Sequence, residues 1–108
     1  MDQTQYEIAM AVVGLGCEAT GKFRTILGTR CAVGDLYATI DPSWALGHGS
    51  DLYSKWGGNI PLEVARAFSL TPKEVEGLMG INDRAKDVET RRERVKQGIT
   101  RRFRKYGL

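Results

Sequence analysis

The sequence predicts an all-α fold, a single compact domain of about five helices with one long loop containing glycines and tryptophans. Three observations predict it: apolar residues return at three- and four-residue intervals, helix-start signals precede several of these runs, and no strand pattern of adequate length interrupts them. A chain of 108 residues, 42% of them hydrophobic and only three of them proline, fits one domain, predicted to run over 1–108. At this size folding buries only about two thirds of the chain's surface, so association with another copy would add stability.

From Thr4, the residues Tyr6, Ala9, Met10, Val13 and Cys17 fall on one helical face, and Thr4-Gln5-Tyr6-Glu7 can close a capping box, which predicts a first helix over 4–18. Gly14 and Gly16 each lower its propensity by about 1 kcal/mol relative to alanine, so it needs tertiary packing. After a polar connector around Gly21 and Gly28, the residues Cys31, Ala32, Leu36, Tyr37 and Ile40 predict a second helix that Asp41-Pro42 ends. Residues 41–59 hold four glycines, Trp44, His48, Tyr53 and Trp56 without a steady period and predict the long loop, pinned by its tryptophans.

Asn59-Ile60-Pro61 opens a third helix with Val64, Ala65 and Phe68 inward, because proline is tolerated in a first turn. Thr71-Pro72-Lys73-Glu74 joins an N-cap, a proline at the first helical position and a capping-box glutamate, the strongest helix start in the chain; that helix is expected to stop at Gly80. A last helix from about 83 to 106 places Ala85, Val88, Val95, Ile99, Phe103 and Tyr106 on one stripe with arginine and lysine around the rest, and Gly98 is its weak point.

Charge is divided unevenly. Residues 1–58 carry four Lys/Arg against six Asp/Glu, whereas 59–108 carry twelve against seven. From Arg91 onward eight basic residues face one acid, Glu93, so this helix predicts a polyanion or an acidic protein surface as partner. Arg91, Arg94, Arg101, Arg102, Arg104 and Lys105 are its candidate contacts, each adding a salt-sensitive phosphate interaction.

Two phosphate-binding motifs are approached and missed. Gly16-Cys17-Glu18-Ala19-Thr20-Gly21-Lys22 has P-loop spacing, but Phe23 stands where a magnesium-holding hydroxyl is required, and Gly14-Leu15-Gly16-Cys17-Glu18-Ala19 imitates a dinucleotide fingerprint without a βαβ unit. Residues 64–78 resemble a helix-turn-helix motif, with Ala65 at the crossing, Ser69 in the turn and Lys73 on the reading helix. Glu74 and Glu76 on that helix oppose a phosphate-lined groove, so a packed helical hairpin is the simpler reading.

For catalysis the inventory is thin. His48 is the sole histidine, and His-Glu-x-x-His, Cys-x-x-Cys and serine-elbow motifs are all missing, which predicts no enzyme activity, no metal and no cofactor. Cys31 with His48 and Asp35 or Asp51 is the only nucleophile-and-base combination on offer, and a cysteine on a helix's apolar side is more simply core. Both cysteines read as reduced, buried thiols. No apolar run approaches the roughly 18–20 residues of a membrane helix, and Met1-Asp2-Gln3 lacks a basic leader, which predicts a cytoplasmic protein without membrane contact.

The stretches Gly21-Lys22-Phe23, Arg30-Cys31-Ala32-Val33-Gly34-Asp35-Leu36, Ile60-Pro61-Leu62-Glu63-Val64 and Ile81-Asn82-Asp83 together resemble a group of small uncharacterised proteins of tailed phages and prophages. In that group Gly-Lys-Tyr, Cys-Cys-Leu-Gly-Val-Leu, Leu-Pro-x-x-Val and Leu-Asn-Asp follow in the same order; here Ala32 replaces the second cysteine and Asp35 a hydrophobe. By analogy with phage accessory proteins of this size, the resemblance implies a non-catalytic protein, acting in the host cytoplasm, that inhibits a host defence factor or captures an anionic nucleotide signal. For such a nucleotide the candidate contacts are Lys22, Arg24 and Arg30 as phosphate donors and Trp44, Tyr53 and Trp56 as stacking partners. A homo-oligomer is expected with this reading, and a small helix-turn-helix DNA-binding protein, clamped on the backbone by the basic helix, is the alternative.

Overall fold

The computed structural model describes residues 1–47, 51–52 and 59–107 and is mostly helical, a compact single domain. The helices are α1 (Gln3–Leu15), α2 (Ala32–Ala38), α3 (Pro42–Ala45), α4 (Asn59–Ala67), α5 (Pro72–Arg84) and α6 (Val88–Gly107). One short extended segment, β1 (Lys22–Arg24), runs antiparallel to β2 (Asp51–Leu52) with an irregular register. His48, Tyr53 and Trp56 lie outside the described residues.

Each helix starts where local chemistry satisfies its free amides. Asp2 caps α1, accepting from the Gln5 N–H while the Gln5 side chain accepts from the Asp2 N–H, so the capping box sits two residues before the one the sequence offers at Thr4. Thr71 and Glu74 close the expected box on α5 at 3.1 and 2.9 Å. Cys31 caps α2 through its sulfur, which accepts from the Gly34 N–H at 3.4 Å. Asp41 caps α3, a single turn inside the segment expected to be loop throughout.

Two boundaries depart from expectation. α1 ends at Leu15, and Cys17 turns the chain through a left-handed φ of 58°. α5 continues through Gly80 to Arg84, so α6 begins at Val88. Asn82 lies fully buried in the added turn of α5, where its side chain accepts from the Ala32 N–H at 3.0 Å and donates to the Ala19 carbonyl at 2.9 Å, tying the helix to the interior.

The core gathers Val13, Phe23, Val33, Leu36, Val64, Val75, Leu78, Val95 and Ile99, each fully buried. α1 and α5 pack along α6, and α4 packs on α2 and α5. Gly98, the expected weak point of α6, faces α5: a Cβ there would lie 2.9 Å from Ile81 Cδ1 and 3.2 Å from Leu78 Cδ2. No helix among the described residues is long and apolar enough to cross a membrane.

Candidate functional site

The basic residues divide into two sets, one built into the fold and one left on its outside. Arg91 belongs to the first. It is 6% exposed and donates to the carbonyls of Cys17 at 2.6 Å, Ala85 at 3.0 Å and Lys86 at 2.9 Å. Arg92 beside it donates to the Gly16 and Leu15 carbonyls at 2.8 and 3.1 Å and pairs with Glu89. Two guanidinium groups of α6 therefore satisfy the carbonyls that the end of α1 leaves free. Arg102 is also turned inward, over Gly77 of α5, where burial lowers its pKa and its Nη1 donates to the Gly98 carbonyl.

Arg24 and Arg30 hold α3 in a similar way. Arg24 is 8% exposed, donates to the Trp44 carbonyl and places its guanidinium 4.7 Å from the Trp44 ring centre. Arg30 donates to the Ala45 carbonyl at 3.5 Å and pairs with Asp35 at the same distance. Trp44 further meets Tyr37 edge to face and donates its Nε1–H to Asp51 at 2.8 Å. Arg24, Arg30 and Trp44, expected around a nucleotide, are thus brought together by contacts with one another and with α3. Lys22 is half-buried in β1.

The P-loop-like turn offers little to a phosphate. The Cys17 N–H donates to Asp35 at 2.7 Å, the Glu18 and Ala19 N–H groups donate to the Arg30 carbonyl, and the Gly21 N–H donates to Asp83 at 3.1 Å. Its amides already serve partners within the chain, two of them carboxylates, so the turn is not an open anion cradle. Asp35 is buried, and burial pushes its pKa up to about 7.

The cysteines are packing and capping groups. Both are free and fully buried, and burial pushes the Cys17 thiol up to about 12. Asp41 and Asp51 serve the α3 cap and the Trp44 indole respectively. Among the described residues no group of three histidine, cysteine or acidic side chains could hold a metal ion.

The second set of arginines lies on the outer face of α6. Gln97 and Arg101 form a ridge between two grooves there. One, of about 500 Å³, is bordered by Met10, Lys96, Thr100 and Arg104 with Glu93; the other, of about 260 Å³, by Ile81, Arg84 and Arg94. Arg84, Arg94, Arg101 and Arg104 are all exposed, and none has an ion-pair partner among the described residues, whereas Lys96 pairs with Glu93 at 3.7 Å. Positions 94, 97, 101 and 104 share a helix face and span about 15 Å along its axis. The sequence places Arg84 at the start of the last helix; it lies instead at the end of α5, lining a groove with Arg94 and Arg101. Lys105 lies in α6 with its side chain outside those described.

The helix-turn-helix-like segment is a real α4–α5 hairpin: the Leu70 N–H donates to the Ala65 carbonyl at 2.9 Å and Ser69 turns at a φ of 53°. Its second helix exposes Lys73 beside Glu76, and Glu74 is engaged in the cap. Phe103 does not project as a stacking platform either. It stacks on Tyr6 with ring centres 4.3 Å apart, and the Tyr6 hydroxyl shares a 3.0 Å hydrogen bond with Thr100. Compared with known protein families, curated proteins and solved structures, the chain matches none.

Proposed function

We propose that this chain acts by binding rather than by catalysis, and that its working surface is the outer face of α6, which holds double-stranded nucleic acid through its phosphates. One observation carries the reading: Arg84, Arg94, Arg101 and Arg104 stand exposed around two adjoining grooves without carboxylate partners among the described residues. Keeping four like charges around two adjoining grooves disfavours the folded monomer modestly, and a polyanion offsets that repulsion.

The same surroundings argue for backbone contact over base reading. Glu76 lies beside Lys73 on α5, and Phe103 is engaged with Tyr6, so among the described residues neither a base-reading helix nor an aromatic platform accompanies the arginines. Binding of this kind is sequence-independent and depends steeply on salt. The resemblance to phage accessory proteins adds the setting, a protein that covers nucleic acid or an acidic host factor inside an infected cell, and supplies no chemistry of its own.

Fluorescence anisotropy with a mixed-sequence duplex tests the reading. Four phosphate contacts give a slope of log K against log salt of about −3.5. Replacing Arg94, Arg101 and Arg104 together by alanine removes binding, and Lys73→Ala leaves it unchanged. Absence of binding at low salt overturns the assignment, and capture of an acidic host protein in its place moves the partner to the protein class.

A further inference from the structure

A second surface lies around the cleft formed by the end of α1, the 25–29 turn, α2 and α3, with a volume of about 380 Å³. Its lining mixes the small apolar residues Val12, Ala38 and Ala45 with Gly28 and Thr29 of the turn and the Arg30–Asp35 pair. The same turn carries Ile26 and Leu27 at its tip, exposed by 77% and 88%, while Leu15 of the lining and Leu46, next in sequence to Ala45, are each 81% exposed. These four side chains present on the order of 500 Å² of apolar surface, against the ~800 Å² that each partner of a standard interface buries. With the cleft lining added, each copy offers roughly 600 Å², the low end of what a specific interface buries.

We propose that two copies of this chain join through a two-fold exchange in which the Ile26–Leu27 tip of each seats in the cleft of the other. The turn is built to hold its tip in place. The Thr25 N–H donates to the Thr29 carbonyl at 2.8 Å, the two threonine hydroxyls lie 2.6 Å apart, and Gly28 takes a φ of 88° that closes the bend. Docking a preordered tip costs little conformational entropy.

A second copy is the occupant that this arrangement fits. Knob and hole are adjacent on one surface, so a single two-fold axis can bring each tip to the other copy's cleft, the arrangement a closed two-fold interface requires. The rim holds charges of both signs, Glu18 and Arg30, which a two-fold axis sets against their counterparts. The carboxylates of Glu18 and Asp35 at the same cleft disfavour an anionic lipid surface.

Sedimentation velocity of the full chain, from low to high micromolar concentration, tests this independently of nucleic-acid binding. The expected species has twice the 12.0 kDa mass of one chain. Leu27→Asp alters an exposed side chain at the tip of the turn, so helix content by circular dichroism is retained and association weakens by about 100-fold or more. Ala45→Trp, which fills the cleft, does the same; should it lose helix content, Thr39→Arg at the exposed end of α2 takes its place. Mixing the tip variant with the cleft variant leaves one intact tip-and-cleft pair and restores part of the association. A wild-type monomer throughout, a Leu27→Asp chain that keeps the dimer mass, or a mixture that stays monomeric each overturns the proposal.

Discussion

The Cys17 backbone N–H donates to Asp35 Oδ2 at 2.7 Å, and the approach is so close that a Cβ on the preceding Gly16 would lie 2.0 Å from that oxygen. A carboxyl group from α2 thus fills the space that the chain makes by turning at Gly16 and Cys17. Burial raises the Asp35 pKa from an ordinary 3.8 to about 7, against the opposing pull of the Cys17 N–H and of Arg30 at 3.5 Å.

Stability follows from that shift with a definite sign. Between pH 3.8 and about pH 7 the folded chain retains a proton on Asp35 that the unfolded chain has released. The contribution is therefore fully present below the lower value and is lost as pH rises through the upper one. Asp41 and Asp87 have lowered pKa values and act in the opposite sense, but below the ordinary carboxylate range. Thermal unfolding at about pH 5 and about pH 7.5 should show the wild type more stable at the lower pH, by on the order of 2 kcal/mol. Asp35→Asn, which keeps an acceptor for Cys17 without the charge, should flatten the difference.

Glycines that look alike in sequence separate by what surrounds them. Gly14 lies inside α1 with only Lys96 Cδ at 3.9 Å from a Cβ placed there, so Gly14→Ala should raise stability by about 1 kcal/mol through helix propensity. Gly34 lies in α2 against β1, where a Cβ would come within 2.0 Å of the Phe23 carbonyl oxygen, a backbone atom that cannot step aside. Gly34→Ala should cost about 3 kcal/mol or more. Urea midpoints measured side by side should move in opposite directions, and a shared direction removes the packing account of Gly34.

The helices were legible because apolar period and capping residues lie close together in sequence. Thr71 and Glu74 state the start of α5 within four residues, and both reciprocal bonds form. What was not legible depends on partners far away along the chain. Asn82 serves the carbonyl of Ala19 and the amide of Ala32, so a polar residue after Gly80 imitates a helix end while serving the interior of the fold. Asp83 beside it accepts from the Gly21 N–H at the surface, another partner far away along the chain. The candidate site shows the same division: charge density located α6, but no local pattern reveals which of its arginines meet the end of α1.

That division is the basis of the last prediction, which concerns two arginines three residues apart on α6. Arg91 meets three carbonyls and is 6% exposed, whereas Arg94 is exposed without an ion-pair partner among the described residues. Arg91→Ala strands the carbonyls of Cys17, Ala85 and Lys86 around a cavity and should cost about 3 kcal/mol, lowering the melting temperature by more than about 10 °C. Arg94→Ala should leave the melting temperature within about 2 °C, since exposed substitutions change stability little. In duplex binding the order reverses at temperatures where both variants are folded. Arg94→Ala should reduce the salt slope by about one unit and weaken binding uniformly across sequences, while Arg91→Ala keeps the wild-type slope. Equal effects of the two substitutions in both measurements would mean that α6 carries no distinction between an inner and an outer set of arginines.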